Sequence, residues 1–175
     1  MKNLIKGICI FVLLFSCSSD STDNEEELQE GNFEYVISGA LSKEVKGNDT
    51  NFGTTNGEFF VRLTSGTDEL VIRILIDPLN PNSYEINPVF VSVSEPPIPI
   101  TAGDSFADLG VGSTLANDRR SFSSNASNGG SVTISSVNGS VVSGTFSISL
   151  RELVTGNTGS EPVVSVQGTF RAVKQ

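Results

Sequence analysis

Phe59-Phe60-Val61-Arg62-Leu63-Thr64, then Ser65-Gly66-Thr67-Asp68, then Glu69-Leu70-Val71-Ile72-Arg73-Ile74 is the stretch that decides the fold. Two runs of β-branched and aromatic residues with a period of two flank a turn-forming tetrad, which is the pattern of a hairpin with one dry and one wet face. Counting back from a four-residue loop sets Leu63 against Leu70, Val61 against Ile72 and Phe59 against Ile74, so every inward pair is apolar. The opposite face sets Phe60 against Arg73 with Glu58 diagonal to it. Arg62 and Arg73 then read as side chains lying over Phe60 and Val71, with no ligand needed.

The same chemistry extends in both directions. Upstream, Phe33, Tyr35, Ile37 and Leu41 alternate with Glu34, Ser38 and Ala40 as a half-buried strand, and residues 43–56 read as a polar loop. Downstream, the turns Asp77-Pro78 and Asn80-Pro81 lead to short strands at Tyr84–Ile86 and Val89–Val93; Pro88 marks an edge, and Pro96, Pro97 and Pro99 stiffen a crossover between sheets. Val132 and Ile134 share parity with Val142, Phe146, Ile148 and Leu150. An odd loop, Val137-Asn138-Gly139, would keep both sets on one face, with Gly139 left-handed. Val142-Ser143-Gly144-Thr145-Phe146 recurs as Val166-Gln167-Gly168-Thr169-Phe170, and antiparallel pairing of the two is expected to set Gly144 opposite Gly168, Phe146 opposite Val166 and Phe170 opposite Val142. No stretch carries a convincing helical period. The expectation for residues 32–175 is a single all-β domain, an antiparallel β-sandwich, with a closed antiparallel β-barrel as the alternative.

Composition narrows the chemistry. A chain of 175 residues suits one ordinary domain, and 20 acidic against 11 basic residues give a formal charge of −9, a balance that repels nucleic acid. There is no His, no Trp and only two Cys, which excludes Ser-His-Asp and Cys-His catalysis and histidine-based metal sites. Lys43, Lys46 and Lys174 sit in no SxxK pattern, and nucleophile-elbow, P-loop and dinucleotide fingerprints are missing. Binding or scaffolding, not catalysis, is the expected mode of action.

The N-terminus carries an address. Lys2 and Lys6 precede the apolar run Ile8–Phe15, which is too short for a bilayer span but right for the core of a signal peptide. The run ends in Leu14-Phe15-Ser16-Cys17, which resembles the bacterial lipobox. That resemblance implies cleavage after residue 16, acylation of Cys17, for example with palmitate, and a second chain for stable attachment. Cys9 would leave with the leader, so no disulfide is available to the mature chain. Residues 17–31 follow as an acidic, self-repelling tether carrying Asp20, Asp23, Glu25, Glu26, Glu27 and Glu30. Ser18 stands where aspartate would favour inner-membrane retention, which implies an outer-membrane destination, on its periplasmic face or at the cell surface.

The Ser- and Asp-rich start of the tether resembles Bacteroidetes surface-export signals, and Asp20-Ser21-Thr22 resembles that phylum's O-glycosylation tripeptide, with Ser21 or Thr22 as acceptor. With the C-terminal strands Ser131-Val132-Thr133-Ile134, Val142–Phe146 and Gly168-Thr169-Phe170, these features resemble small, Flavobacteria-like outer-membrane lipoproteins of Bacteroidetes. The resemblance implies a membrane partner through the lipid anchor, and it brings no catalytic residues. An envelope protein or a glycan is the expected further partner.

Candidate ligand positions are few. Phe52, Phe106 and Phe122 read as loop aromatics, either for an exposed apolar contact of the kind a glycan-binding module uses or as plugs for the end of the sandwich. In Asp118-Arg119-Arg120, the residues Arg119 and Arg120 are candidates for an anion, beside the plainer reading of an ion pair within the loop. Calcium is the metal best suited to the oxygen-rich Asn48-Asp49-Thr50-Asn51 and to the surroundings of Asp77, Asn80 and Asn82, although both stretches also read as plain turns, and no cofactor is expected. Asp104 with Asp108 is the best local carboxylate pair for a hydrolase.

Overall fold

The computed structural model describes residues 27–55, 57–74, 80–86, 105–112, 118–124, 127–154 and 160–175. These form eleven strands and no helix: β1 (Phe33–Gly39), β2 (Lys43–Gly47), β3 (Asp49–Thr55), β4 (Glu58–Ser65), β5 (Asp68–Ile74), β6 (Asn82–Ile86), β7 (Phe106–Val111), β8 (Arg120–Ser123), β9 (Gly130–Asn138), β10 (Val141–Glu152) and β11 (Val163–Lys174). The leader, Cys17, Ser21, Thr22, Asp77, Val89–Val93, the three prolines from Pro96 to Pro99 and Asp104 lie outside the described residues.

All eleven strands pair in one mostly antiparallel network, in the order β2-β1-β11-β3-β4-β5-β7-β8-β10-β9-β6 with a further β10–β11 pairing, and it folds into two facing layers. One runs β2-β1-β11-β10-β9-β6 and the other β3-β4-β5-β7-β8. Their inward residues belong to one apolar cluster: Phe33, Tyr35, Ile37, Phe146, Val166 and Phe170 from the first meet Phe59, Leu63, Leu70, Ile72, Leu109 and Phe122 from the second. Among the described residues the layers join by strand pairing at two corners, where Val173↔Asn51 and Lys174↔Phe52 run parallel and Arg151↔Ser123 and Glu152↔Phe122 run antiparallel. The result is sandwich-like, two layers joined at opposite ends of the β10–β11 pair, and the two short joins also close β11-β3-β4-β5-β7-β8-β10 into a ring of paired strands.

The β4–β5 hairpin has the expected register, Leu63↔Leu70, Val61↔Ile72, Phe59↔Ile74 and Phe60↔Arg73. Ser65↔Asp68 also pair, so the turn shortens to Gly66-Thr67 with Gly66 at φ 61°. In β1, Phe33, Tyr35 and Ile37 are buried as expected. The strand stops at Gly39, and Leu41 packs half-buried against the core from beyond it.

Residues 43–56 are not the expected loop. They supply β2 and β3, separated by Asn48 alone, so that one nearly continuous run leaves the first sheet and joins the second. The strands escaped notice because each buries so little: Val45 in β2, and Thr50 and Phe52 in β3. Lys43, Glu44 and Lys46 are the charges that protect an edge from further pairing.

Two registers in the C-terminal third differ from expectation. The β9–β10 turn is even, with Asn138↔Val141 closing on Gly139-Ser140, and Gly139 is left-handed at φ 53°. A bulge between Ser143↔Ser136 and Gly144↔Ile134 supplies the odd residue instead, and it restores Val132, Ile134, Val142 and Phe146 to one face. In β10–β11 the pairing is Gly144↔Phe170 and Phe146↔Gly168, two residues away from glycine against glycine. A slip of two keeps every side chain on its face, so packing decides it. Each phenyl ring now lies across from a residue without a Cβ, as also in Phe33↔Gly47 and Phe60↔Gly53. Around them run the ring contacts Phe33–Tyr35 at 5.8 Å, Tyr35–Phe146 at 6.2 Å and Phe146–Phe170 at 6.4 Å.

Candidate functional site

The two outer faces of the sandwich differ in chemistry. On the five-stranded sheet the charges satisfy one another: Arg62 lies 3.1 Å from Glu69, and Arg73 lies 3.4 Å from Glu58 and 5.3 Å above the Phe106 ring. Arg119 reaches Glu69 at 3.9 Å and donates to the Thr67 carbonyl at 3.3 Å. Arg120 grips Glu152 through two hydrogen bonds of 2.7 Å and covers the Phe122 ring at 5.1 Å. The Arg120 guanidinium holds the Glu152 carboxyl below the usual range, and the same bond raises Arg120 itself.

These pairings revise the candidate positions. Arg119 and Arg120 take partners from β5 and β10, so neither is an idle cation awaiting an anion. Phe52 and Phe122 are strand residues of β3 and β8, 6% and 1% exposed, and they fill the core. Phe106 is half-buried beneath Arg73. The alternation of Thr50 with Phe52 was the signal for a strand, diluted by the asparagine and glycine on either side. Thr50 is buried, donates its hydroxyl to the Arg62 carbonyl at 3.0 Å and its amide to the Gly31 carbonyl at 3.1 Å. The Asn48–Asn51 stretch is thus built into a sheet. Among the described residues no group of three or more Asp, Glu or Cys side chains is placed to hold a metal ion. Asp108 is half-buried on β7.

One polar cluster lies between the sheets. Asp68, buried at the start of β5, accepts from Lys43 Nζ at 2.5 Å and from the Gly112 amide at 3.1 Å, which ties the β2 edge to the opposite sheet. The Tyr35 hydroxyl is buried with no hydrogen-bond partner, and burial, reinforced by the Asp68 charge, pushes its pKa far up.

The six-stranded sheet presents a different outer face. Residue pairing aligns Lys46, Glu34, Thr169, Thr145, Thr133 and Ser83 in one row across all six strands, and Glu44, Val36, Gln167, Ser147, Ser131 and Glu85 in the next. At about 4.8 Å per strand, each row is roughly 24 Å long. Charges sit at the ends, where Lys46 pairs with Glu34 at 2.7 Å, and the centre is hydroxyl and amide. Thr133 donates to the Ser83 hydroxyl at 3.2 Å and Ser135 to the Ser143 carbonyl at 3.1 Å.

An open groove of about 680 Å³ crosses this face, floored by Ser143, Thr145 and Thr169 and walled by Glu27, Leu28 and Arg171. Sequence reasoning missed it, although the signal was present: the outward positions of β9 and β10 are almost all Ser or Thr, and β11 adds Ser165, Gln167 and Thr169. Chemically the groove offers short, uncharged donors and acceptors at regular spacing, suited to a ligand rich in hydroxyl groups.

Compared with protein-family models, with curated proteins and with solved structures, the chain matches none.

Proposed function

We propose that this protein is a lipid-anchored lipoprotein of the cell envelope, held at the outer membrane through Cys17, whose β-sandwich is a non-catalytic binding module. The observation that carries the reading is the contrast between its faces. One is closed by its own ion pairs, while the other exposes Thr169, Thr145, Thr133, Ser147 and Gln167 around a groove. Such hydroxyls support the sheet through cross-strand pairs, and each keeps further donor and acceptor capacity for a ligand. Both carboxylates that line the groove are already paired, Glu34 with Lys46 and Glu27 with Arg171, which supports binding over hydrolysis by carboxylates.

A glycan is the ligand class this face suits best, because hydroxyl and amide side chains match sugar hydroxyls as both donors and acceptors. The expected aromatic platform is not supplied by Phe52 or Phe122, which are buried, so recognition would rest on hydrogen bonds and be of modest affinity.

Two measurements test the proposal. Cys17→Ser is expected to move the protein from the membrane fraction to the soluble one, and retention in the membrane would refute the anchor. The released Cys17→Ser protein, applied to a panel of envelope and capsular polysaccharides, is expected to bind through the hydroxyl rows. Thr145→Val with Thr169→Val should abolish that binding with the circular dichroism spectrum unchanged. Binding that survives the double substitution would remove this face from consideration.

A further inference from the structure

The acidic stretch before the body does not end where the sheet begins. Glu27 Oε1 lies 2.6 Å from Arg171 Nη1, Glu30 Oε1 lies 3.6 Å from Arg171 Nη2, and Arg171 Nη1 also donates to the Leu28 carbonyl at 3.2 Å. The expected tether of residues 17–31 therefore lies against the body over its last five residues. Their base is a backbone mesh: Gly31 N–H donates to Arg171 O at 2.8 Å, Arg171 N–H to Asn32 O at 2.9 Å and Thr50 N–H to Gly31 O at 3.1 Å. Upstream of Gly31, among the described residues, the one bond from backbone to backbone is Asn32 N–H to Gln29 O at 3.0 Å. Gly31 itself is buried and left-handed at φ 83°.

We propose that Glu27–Gly31 is a strap hinged at Gly31 and clasped by Arg171, and that the clasp governs both the groove and the length of the tether. The hinge is firm and the clasp is weak, because the Glu27 and Glu30 side chains are 79% and 59% exposed and pair in high dielectric. Opening the clasp takes Glu27 and Leu28 out of the groove wall, leaving Ser143, Thr145 and Thr169 open on that side. A ligand that touches both strap and floor closes the clasp, and by reciprocity a closed clasp strengthens that ligand's binding. The second consequence rests on the anchor proposed above. Ten Cα-to-Cα steps run from Cys17 to Glu27 and fifteen to Asn32, so opening raises the upper limit on the distance from anchor to body from about 35 Å to about 50 Å.

Amide hydrogen exchange in the Cys17→Ser protein tests the clasp without reference to the membrane. Arg171→Gln, and separately Glu27→Gln with Glu30→Gln, are each expected to speed exchange at Asn32 about fivefold, while the Val61 amide in the core stays unchanged. High salt is expected to act on the native protein in the same direction. Asn32 exchange within about twofold of native in the double glutamine variant, or a rise matched at Val61, overturns the clasp. Should Arg171→Gln loosen the whole sheet, the double variant decides, since both its positions are exposed. Failure of this experiment leaves the anchor standing, and membrane retention of Cys17→Ser leaves the clasp standing.

Discussion

Replacing Gly168 by alanine tests how closely β11 packs against β1. A Cβ at this position would lie 2.3 Å from the Glu34 carbonyl oxygen, 2.4 Å from Tyr35 Cβ and 2.8 Å from Tyr35 Cα, all belonging to the adjoining β1 strand. Ordinary contact begins near 3.4 Å, so β1 and β11 must part by about 1 Å along a ladder of seven residue pairs. Overfilling a packed site costs about 1–3 kcal/mol; backbone neighbours place this case at the upper end, and the lower entropy of unfolded alanine returns about half a kcal/mol. The expected net loss is about 2.5 kcal/mol, or about 1.2 M in the urea midpoint at a slope near 2 kcal/mol per M. Gly57→Ala is the control: nothing lies within 4 Å of its Cβ, but φ is 81°, so it should lose about 1 kcal/mol from backbone strain alone. A Gly168→Ala midpoint no lower than that of Gly57→Ala would refute the crowding argument.

Three further outcomes follow from the polar groups. Lys43→Met strands the buried Asp68 carboxylate with only the Gly112 amide and should cost about 2 kcal/mol by thermal unfolding; adding Asp68→Asn should recover part of that, and strictly additive losses would disprove the coupling. Tyr35→Phe removes a hydroxyl without a partner and is expected to be neutral or stabilising by up to about 1 kcal/mol, whereas a loss above about 1 kcal/mol would reveal a bond to that hydroxyl. The hydrogen-bonded Arg120 guanidinium holds Glu152 below the ordinary glutamate value of 4.5, so its pairing adds stability above that pH and loses it as pH falls through the folded-state value. The stability gap between native protein and Glu152→Gln should therefore be full at pH 7 and shrink only below about pH 4.5, and a gap independent of pH would contradict the pairing.

Period-two alternation and turn chemistry are local, and they were enough to read the all-β class, the inward faces of β1, β4, β5, β9, β10 and β11, and the register of a hairpin whose strands are joined by a tight turn. The absence of His and the resemblance of Leu14-Phe15-Ser16-Cys17 to a lipobox are equally matters of sequence. What joins distant segments was decided by tertiary packing. Hydrophobic parity cannot separate registers two residues apart, so the choice falls to packing, such as the Phe170 ring against Gly144 and Tyr35 of β1 against Gly168. The burial of Phe52 and Phe122 follows from the second sheet closing over them. The same holds for the candidate site: Ser and Thr at alternate positions are unremarkable in any one strand. They become a face only when β1, β11, β10, β9 and β6 align side by side, because a row across a sheet is a property of register and not of sequence.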